Sequence, residues 1–271
     1  MASFQEVMDL IQPEQVGLHW FRGHSPTPQP RIFGGQVLAQ CLLAANATVD
    51  DALIAHSMHA YFLRAGDPTT PIEFDVDPIR DGRSFATRRV VARQRGDAIF
   101  NTSISYQITE SGFTHSEPMP TVPSPAEAAK LDLGPKHKSF SDMYQVDRVR
   151  ITARSEQPQA KQQNWFRAAG GLDPDPRLHQ AALALLSDCA LLGTSFYPQG
   201  MRDWDINHIC ASLDHAIWFH EPVDVNEYLL YECDSPWAGN ARGFNRGTFW
   251  SQDGKLLAST TQEALVRPKT R

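Results

Sequence analysis

Two segments of this 271-residue chain are apolar on nearly every side over the length of a helix: "GGQVLAQCLLAANATV" (34–49) and "LHQAALALLSDCALLG" (178–193). A helix on a protein surface shows one apolar stripe, whereas a helix apolar all round is buried. Each segment therefore needs chain to wrap around it, and the sequence supplies that chain. The first is followed by "HSMHAYFLR", "IEFDVDPIR", "SFATRRVVARQ" and "AIFNTSISYQI", the second by "INHICASLDHAIWFH", "EYLLYECDS", "ARGFNRGTFWSQ" and "KLLASTTQEALVR". These stretches are rich in β-branched and aromatic residues, with Gly, Asp, Asn and Pro in the gaps, as in strands joined by turns. One buried helix and four strands thus occur twice. The spacing repeats as well: His59 precedes Gln107 by 48 residues, and His215 precedes Gln262 by 47. Strands joined by short turns pair antiparallel. The expected class is α+β, with two units in tandem, each a curved antiparallel sheet wrapped around a buried helix.

The stretch between the repeats, "SEPMPTVPSPAEAAKLDLGPKHK", reads as a proline-rich connector running over the surface. This divides the chain into an N-terminal unit (1–110), a connector (111–141) and a C-terminal unit (142–271) opened by the strand "YQVDRVRI". At 41% hydrophobic and 21% charged residues the composition is that of an ordinary globular protein. A formal charge of −6, with no run of Lys and Arg, gives no phosphate-binding stripe, so no nucleic-acid partner is expected. Cys41, Cys189, Cys210 and Cys233 form no CxxC pair, which argues against a zinc site or disulfide framework and fits reduced thiols in the cytoplasm. "MASFQEVMDLIQPEQVG" is amphipathic and acidic, unlike a signal peptide. No window offers the roughly eighteen uninterrupted apolar residues of a membrane span.

The familiar catalytic fingerprints are missing. "GRSFA" and "GTSFY" lack the closing Gly of a G-x-S-x-G elbow, and no P-loop, G-x-G-x-x-G or H-E-x-x-H occurs. His56 and His59, three apart on a strand, are expected on opposite faces, and the spacing of His215 and His220 is odd as well, so all four read as surface or core histidines. With no ligand cluster or nucleotide fingerprint, neither a metal nor an organic cofactor is expected. One feature does carry chemistry: Asp188, a carboxylate set into the second apolar helix. An unpaired carboxylate in an apolar interior is costly, so it must be neutralised, paired or hydrogen-bonded. Ser212 and Gln262 are polar residues among apolar neighbours in strands that would wrap that helix. Read alone, Asp188 could equally cap a helix or pair a buried Arg, Ser212 could be an ordinary strand serine, and Gln262 could close a sheet edge. Cys189 reads as a buried thiol with no His beside it to activate it. Gly34 and Gly35 open a helix whose free N–H groups could hold an oxyanion or a phosphate, or they could simply allow close packing. Arg64, Arg80, Arg83, Arg88 and Arg89 could meet phosphates, though arginines on a solvated strand face are the commoner case.

At this level of detail the sequence resembles the acyl-CoA thioesterase II (TesB-like) family, whose fold is the tandem or double hotdog. The blocks that carry the resemblance run in order through most of the chain: "RIFGGQVLAQ", "HSMHAYFLRAGDPTTPI", "IRDGRSFATRRVVARQ", "IFNTSISYQ", "LLSDCALLG", "DHAIWFH" and "STTQEALVR". The resemblance implies a hydrolase that forms no covalent intermediate. In that family an Asp on the second hotdog helix, a hydroxyl residue on a facing strand and a Gln near the end of the last strand hold and activate a water. The matching positions here are Asp188, Ser212 and Gln262. Thr is more common at the hydroxyl position, so Ser212 keeps the oxygen and loses a methyl group that would help to orient it. A carboxylate general base suits the chemistry, because CoA thiolate is a good leaving group and needs no strong acid. The resemblance further implies an acyl-CoA substrate, and association into a homo-oligomer is expected of exposed sheet surfaces. A non-catalytic acyl-CoA-binding or regulatory protein on the same fold is the alternative. An enoyl-CoA hydratase would need a His shortly after the Asp, and "CALLGTSFYP" contains none.

Overall fold

The computed structural model describes residues 3–26, 30–131, 133, 144–152, 159–200 and 207–269. Helix α1 (Phe4–Ile11) opens the chain, with Ser3 and Glu6 forming a reciprocal capping box. Strands β1 (Glu14–Gln15) and β2 (Trp20–Gly23) lead into core helix α2 (Gly34–Asn46). Then come β3 (Leu53–Phe62), β4 (Ile72–Asp81), β5 (Phe85–Gln94) and β6 (Asp97–Ile108). A short helix α3 (Pro125–Ala128) precedes β7 (Val146–Arg150) and β8 (Lys161–Ala168). Core helix α4 (Pro176–Ser187) and a 3₁₀ segment (Leu192–Gln199) follow. The chain closes with β9 (His208–Ser212), β10 (Asp214–Phe219), β11 (Leu229–Gly239), β12 (Arg242–Trp250) and β13 (Leu256–Pro268).

The strands make one antiparallel sheet in the order β1-β2-β4-β5-β6-β3-β10-β13-β12-β11-β8-β7, with β9 beside the far end of β13. Reading outward from the centre, β3-β6-β5-β4-β2 mirrors β10-β13-β12-β11-β8, so the repeat seen in the sequence is a repeat of topology. The halves join where β3 and β10 pair antiparallel, with His59 opposite Ala216 and Met58 opposite Ile217. Almost every residue of α2 and the second half of α4 is buried, and the two helices pack on each other inside the curved sheet. This is the tandem hotdog arrangement expected.

The helices run antiparallel, so the start of each meets the end of the other. Arg177, in the first turn of α4, donates to the carbonyl of Asn46 at the end of α2 (3.1 Å) and to those of Asp50 (2.5 Å) and Leu53 (3.0 Å). Nearby, Arg88 is an inward-facing β5 residue whose guanidinium donates to the Thr48 hydroxyl (2.8 Å) and carbonyl (2.7 Å) and pairs with Asp81 (2.6 Å). A guanidinium fork satisfies several helix-end carbonyls at once, which a single ammonium cannot.

Several local expectations are corrected. Helix α4 begins two residues before Leu178, with Asp175 as a side-chain N-cap and Pro176 in the first turn. It ends at Ser187, so Asp188 is its C-cap and not a mid-helix residue. The chain cannot continue as helix because Ala190 takes a left-handed φ of 78°. Gln162 fixes that turn by donating to the Ala190 carbonyl and the Thr194 hydroxyl, both at 2.6 Å. Each half-sheet has two strands beyond the repeating four, β1 and β2 before α2, and β8 together with the expected β7 before α4. "INHICASLDHAIWFH" is two strands: Leu213 separates β9 from β10, and Asp214 accepts the Glu263 N–H of β13 at 2.7 Å. A register shift between Ala55 and Ser57 overturns the expectation for the histidine pair. His56 and His59 both lie on the solvent side of β3, where His56 bonds the Ser105 hydroxyl (2.8 Å) and His59 stacks edge-on against Trp218.

Part of the connector is packed against the sheet: Ala128 joins Trp165, Leu230 and Trp250 in a small apolar cluster, and Trp165 donates to the Pro123 carbonyl at 2.9 Å. Residues 134–141 of the expected connector lie outside the described residues. Among the described residues, one stretch, Pro176–Gln199, is long and apolar enough to cross a membrane, and most of it is buried inside the protein as α4 and the 3₁₀ segment.

Removing the Arg177 fork is expected to cost about 2–4 kcal/mol in urea unfolding, since several hydrogen bonds from a charged donor are lost. Arg177→Lys should recover less than half of that loss, because one ammonium cannot reach all the carbonyls. A Lys variant as stable as wild type would contradict this role.

Candidate active site

Asp188 caps α4 at the end where the helix dipole is negative, a poor place for a carboxylate. The neighbouring helix reverses the balance. The start of α2 faces Asp188, and the Gly35 N–H donates to Oδ2 at 2.9 Å. Both glycines of "FGGQ" are required for this approach. A Cβ on Gly34 would lie 2.7 Å from Asp188 Oδ2 and 2.7 Å from the Phe62 ring, and one on Gly35 would run into the Leu185 carbonyl. Of the two roles open for these glycines, the structure shows close packing, together with an N–H committed to Asp188.

The other carboxylate oxygen faces the sheet. Gln262, on β13, donates through Nε2 to Asp188 Oδ1 at 2.6 Å and to Ser212 Oγ at 3.0 Å. Ser212, the last residue of β9, lies beside β13 because Ser212 pairs with Ala264. Its hydroxyl is 3.4 Å from Asp188 Oδ1, longer than an ordinary O–H···O bond. All three residues expected at the site are therefore brought together. Asp188 and Gln262 are tightly coupled, while Ser212 reaches the carboxylate weakly and is held mainly by Gln262.

Burial raises the pKa of Asp188 above its ordinary value, opposed by the hydrogen bonds from Gln262, Gly35 and Ser212 and by the more distant charge of Arg31. Cys189, the next residue, is also buried, and burial pushes its thiol up, the reverse of what a nucleophile needs. Three of the five arginines considered for phosphate contacts have other partners here. Arg64 donates to the Ala98 carbonyl, Arg88 closes α2, and Arg89 pairs with Asp77 on the surface. Among the described residues no cluster of His, Cys, Asp or Glu is arranged to hold a metal ion.

Residues not singled out from the sequence complete the setting. Among the described residues, Gln262 Oε1 and the Oδ1 of Asn245, its fully buried cross-strand partner on β12, both lack a hydrogen-bond partner. Tyr231 donates to the Ser187 carbonyl at 2.8 Å and stacks on Phe249, with ring centroids 3.9 Å apart, fixing the last turn of α4. A polar Asn inside "ARGFNRGTFW" was the visible signal for Asn245. Nothing in the local sequence distinguishes Tyr231 from any other core tyrosine. Chemically, the arrangement offers a buried carboxylate beside an unpartnered amide oxygen, so a small hydroxylic molecule could give one proton to each.

Comparison with known proteins agrees with this picture. The model described as the acyl-CoA thioesterase N-terminal domain matches residues 22–107, and that of the acyl-CoA thioesterase C-terminal domain matches residues 116–266. Acyl-coenzyme A thioesterase 8 of Rattus norvegicus is 38% identical over 290 residues, covering 98% of this chain and 90% of the relative. Acyl-CoA thioesterase 2 of Haemophilus influenzae is 33% identical over 276 residues, covering 96% of each. The crystal structure of an acyl-CoA thioesterase II, TesB2, from Mycobacterium marinum superposes with a TM-score of 0.83 at 36% identity, covering 97% of this chain and 99% of that one.

A raised carboxyl pKa makes stability depend on pH with a definite sign. Asp188 contributes most below the unfolded value, near 3.8, and its contribution is lost as pH rises through the higher folded value. The melting temperature of wild type relative to Asp188→Asn should therefore fall as pH rises above about 4. A difference that is constant or grows with pH would contradict the burial of this carboxylate.

Proposed function

The chain belongs to the acyl-CoA thioesterase II family, and from that premise we propose that it hydrolyses an acyl-CoA thioester to free CoA and a carboxylic acid. The reading rests above all on one observation. Asp188 is held at Oδ2 by Gly35 and at Oδ1 by Gln262, beside the buried, unpartnered Oε1 of the same Gln262. Asp188 and Gln262 are assigned to hold a water between them. Asp188 takes one proton from it as the oxygen attacks the thioester carbonyl carbon. The resulting tetrahedral adduct collapses with cleavage of the C–S bond. The CoA sulfur leaves as thiolate and is neutralised by the proton that Asp188 took. Acid, thiol and carboxylate are all accounted for with no covalent enzyme intermediate.

Ser212 is assigned to orient the water and the Gln262 amide. Its long contact with Asp188 supports a supporting role more than direct proton transfer. The same reading divides the chain into an N-terminal hotdog (1–110), a connector (111–141) and a C-terminal hotdog (142–271) that carries Asp188, Ser212 and Gln262, a division supported by the separate family matches to 22–107 and 116–266. It also places the protein in the cytoplasm, supported by four buried cysteines that form no disulfide among the described residues. It expects a homo-oligomer, supported by exposed apolar side chains such as Tyr61 on the outer face of the joined strands.

Thiol release from a panel of acyl-CoA substrates tests the activity, and a binder without catalysis would release none. Asp188→Asn should keep the fold and lower turnover by about 10²–10⁴-fold, the range for losing a general base. Ser212→Ala and Gln262→Ala should each lower turnover too. Either of them combined with Asp188→Asn should be little worse than Asp188→Asn alone, because residues acting as a unit are not additive. Wild-type turnover in a folded Asp188→Asn protein would end this reading.

A further inference from the structure

Behind Gln262 lies His215, a β10 residue that is 1% exposed. Its Nδ1 is 3.3 Å from Gln262 Nε2, and its Nε2 is 2.8 Å from the hydroxyl of Ser187. The hydroxyl of Ser187 also lies 2.7 Å from the carbonyl of Ala184, one turn back along α4. These contacts fix every hydrogen in the chain. A hydroxyl has one proton, and a carbonyl oxygen at that distance can only accept it. Ser187 Oγ therefore meets His215 with a lone pair, and the proton between them belongs to His215 Nε2. Burial pushes the His215 pKa down to about 3, so the ring is neutral and carries a proton on one nitrogen only. Nδ1 is then an acceptor, and the group of Gln262 that faces it must be the amide NH₂.

We propose that His215 is a positioning residue whose acceptor nitrogen sets the orientation of the Gln262 amide, turning its NH₂ toward Asp188 and Ser212 and its oxygen toward the water. This rests on the hydrolase reading and extends it by one residue on each side, to His215 and Ser187. The orientation matters because a Gln amide can be turned over at little steric cost. Turned over, it would present its oxygen to the Asp188 carboxylate and its NH₂ to the water. The first contact is repulsive, and the second removes an acceptor for a water proton. The amide NH₂ has two protons for three acceptors: Asp188 Oδ1 at 2.6 Å takes one, and Ser212 Oγ at 3.0 Å and His215 Nδ1 at 3.3 Å share the other, of which only His215 has a polarity fixed from outside the site. Among the described residues the side chains that bond the ring are the uncharged Ser187 and Gln262.

The test is the pH dependence of turnover, measured on the full-length protein with an acyl-CoA that wild type hydrolyses. His215→Leu keeps apolar bulk and removes the acceptor. It should lower kcat by about 10- to 100-fold with KM nearly unchanged, a positioning effect confined to the reacting geometry. It should also shift the acid limb of kcat upward by about one pH unit, because Asp188 loses the donated N–H that holds its pKa down. His215→Asn, whose side-chain oxygen can stand where Nδ1 was, should restore most of kcat and return the acid limb to its wild-type position. Ser187→Ala leaves the imidazole in place but removes the acceptor that fixes its proton, so it should move the limb in the same direction as His215→Leu. It also supplies the measurement if the Leu variant does not fold. An unmoved acid limb in His215→Leu and Ser187→Ala would overturn the proposal, and so would equal losses in the Leu and Asn variants. Wild type that releases no thiol from any acyl-CoA would instead overturn the hydrolase reading itself.

Discussion

The hydrogen bond from the Gly35 N–H to Asp188 Oδ2, at 2.9 Å, holds together parts of the molecule 153 residues apart in the chain. It is where the positive end of one core helix meets the carboxylate that caps the negative end of the other. A bare carboxylate at 8% exposure beside its own helix C-terminus would be destabilised both by lost hydration and by the helix dipole. The facing N-terminus of α2 opposes both effects, and the Gln262 amide adds a second, shorter donor on the other oxygen. Hydrogen bonds to a charged group contribute about 1.5–3 kcal/mol each. On the proposed mechanism these bonds keep the group ionisable, the condition a general base needs. The glycine pair follows from the same constraint, since a side chain on Gly34 would displace the carboxylate.

The antiparallel helix pair has two such junctions, and they are built in opposite ways. At one, an acid from α4 sits on the N-terminus of α2. At the other, the Arg177 fork from the start of α4 bonds the Asn46 carbonyl at the end of α2 and the Asp50 carbonyl just beyond it, and Tyr106 bonds the Asn46 side chain at 3.0 Å. Each solution matches the charge of the helix end it meets. The half-sheets mirror each other strand for strand, but the proposed chemistry is confined to one junction. The carboxylate, the amide and the hydroxyl all belong to the second half, and the first half contributes a backbone N–H. On the proposed mechanism, neither half would be a catalyst alone.

The architecture was legible in the sequence because burial on all sides leaves an unmistakable pattern, and "GGQVLAQCLLAAN" and "HQAALALLS" show it. The helix end at Ser187 was not legible, because the apolar pattern runs on through "CALLGTSF" while the backbone turns at Ala190. Hydrophobicity reports burial, and the 3₁₀ segment is as buried as the helix. Strand β8 was missed for the complementary reason: its inward positions include Gln162 and Asn164, buried polar groups that satisfy the turn after α4 and so interrupt the apolar alternation. The register shift after Ala55 turned His56 and His59 to one side, which no count along a regular strand reveals. At the site, Asp188, Ser212 and Gln262 were visible as polar residues out of place. Gly35, Ser187 and His215 act through contacts made only on folding, so their types alone said little.

The central claim is that Asp188 activates a water and never bonds to the acyl group. It is tested most directly by a single turnover in H₂¹⁸O with enzyme in excess over an acyl-CoA. The acid released and the peptide containing Asp188 are then both weighed by mass spectrometry. Direct attack by water puts one ¹⁸O into the acid in that first turnover and leaves Asp188 unlabelled. An unlabelled acid together with ¹⁸O in the Asp188 carboxyl group would show that the carboxylate itself attacked the thioester, and would contradict the account.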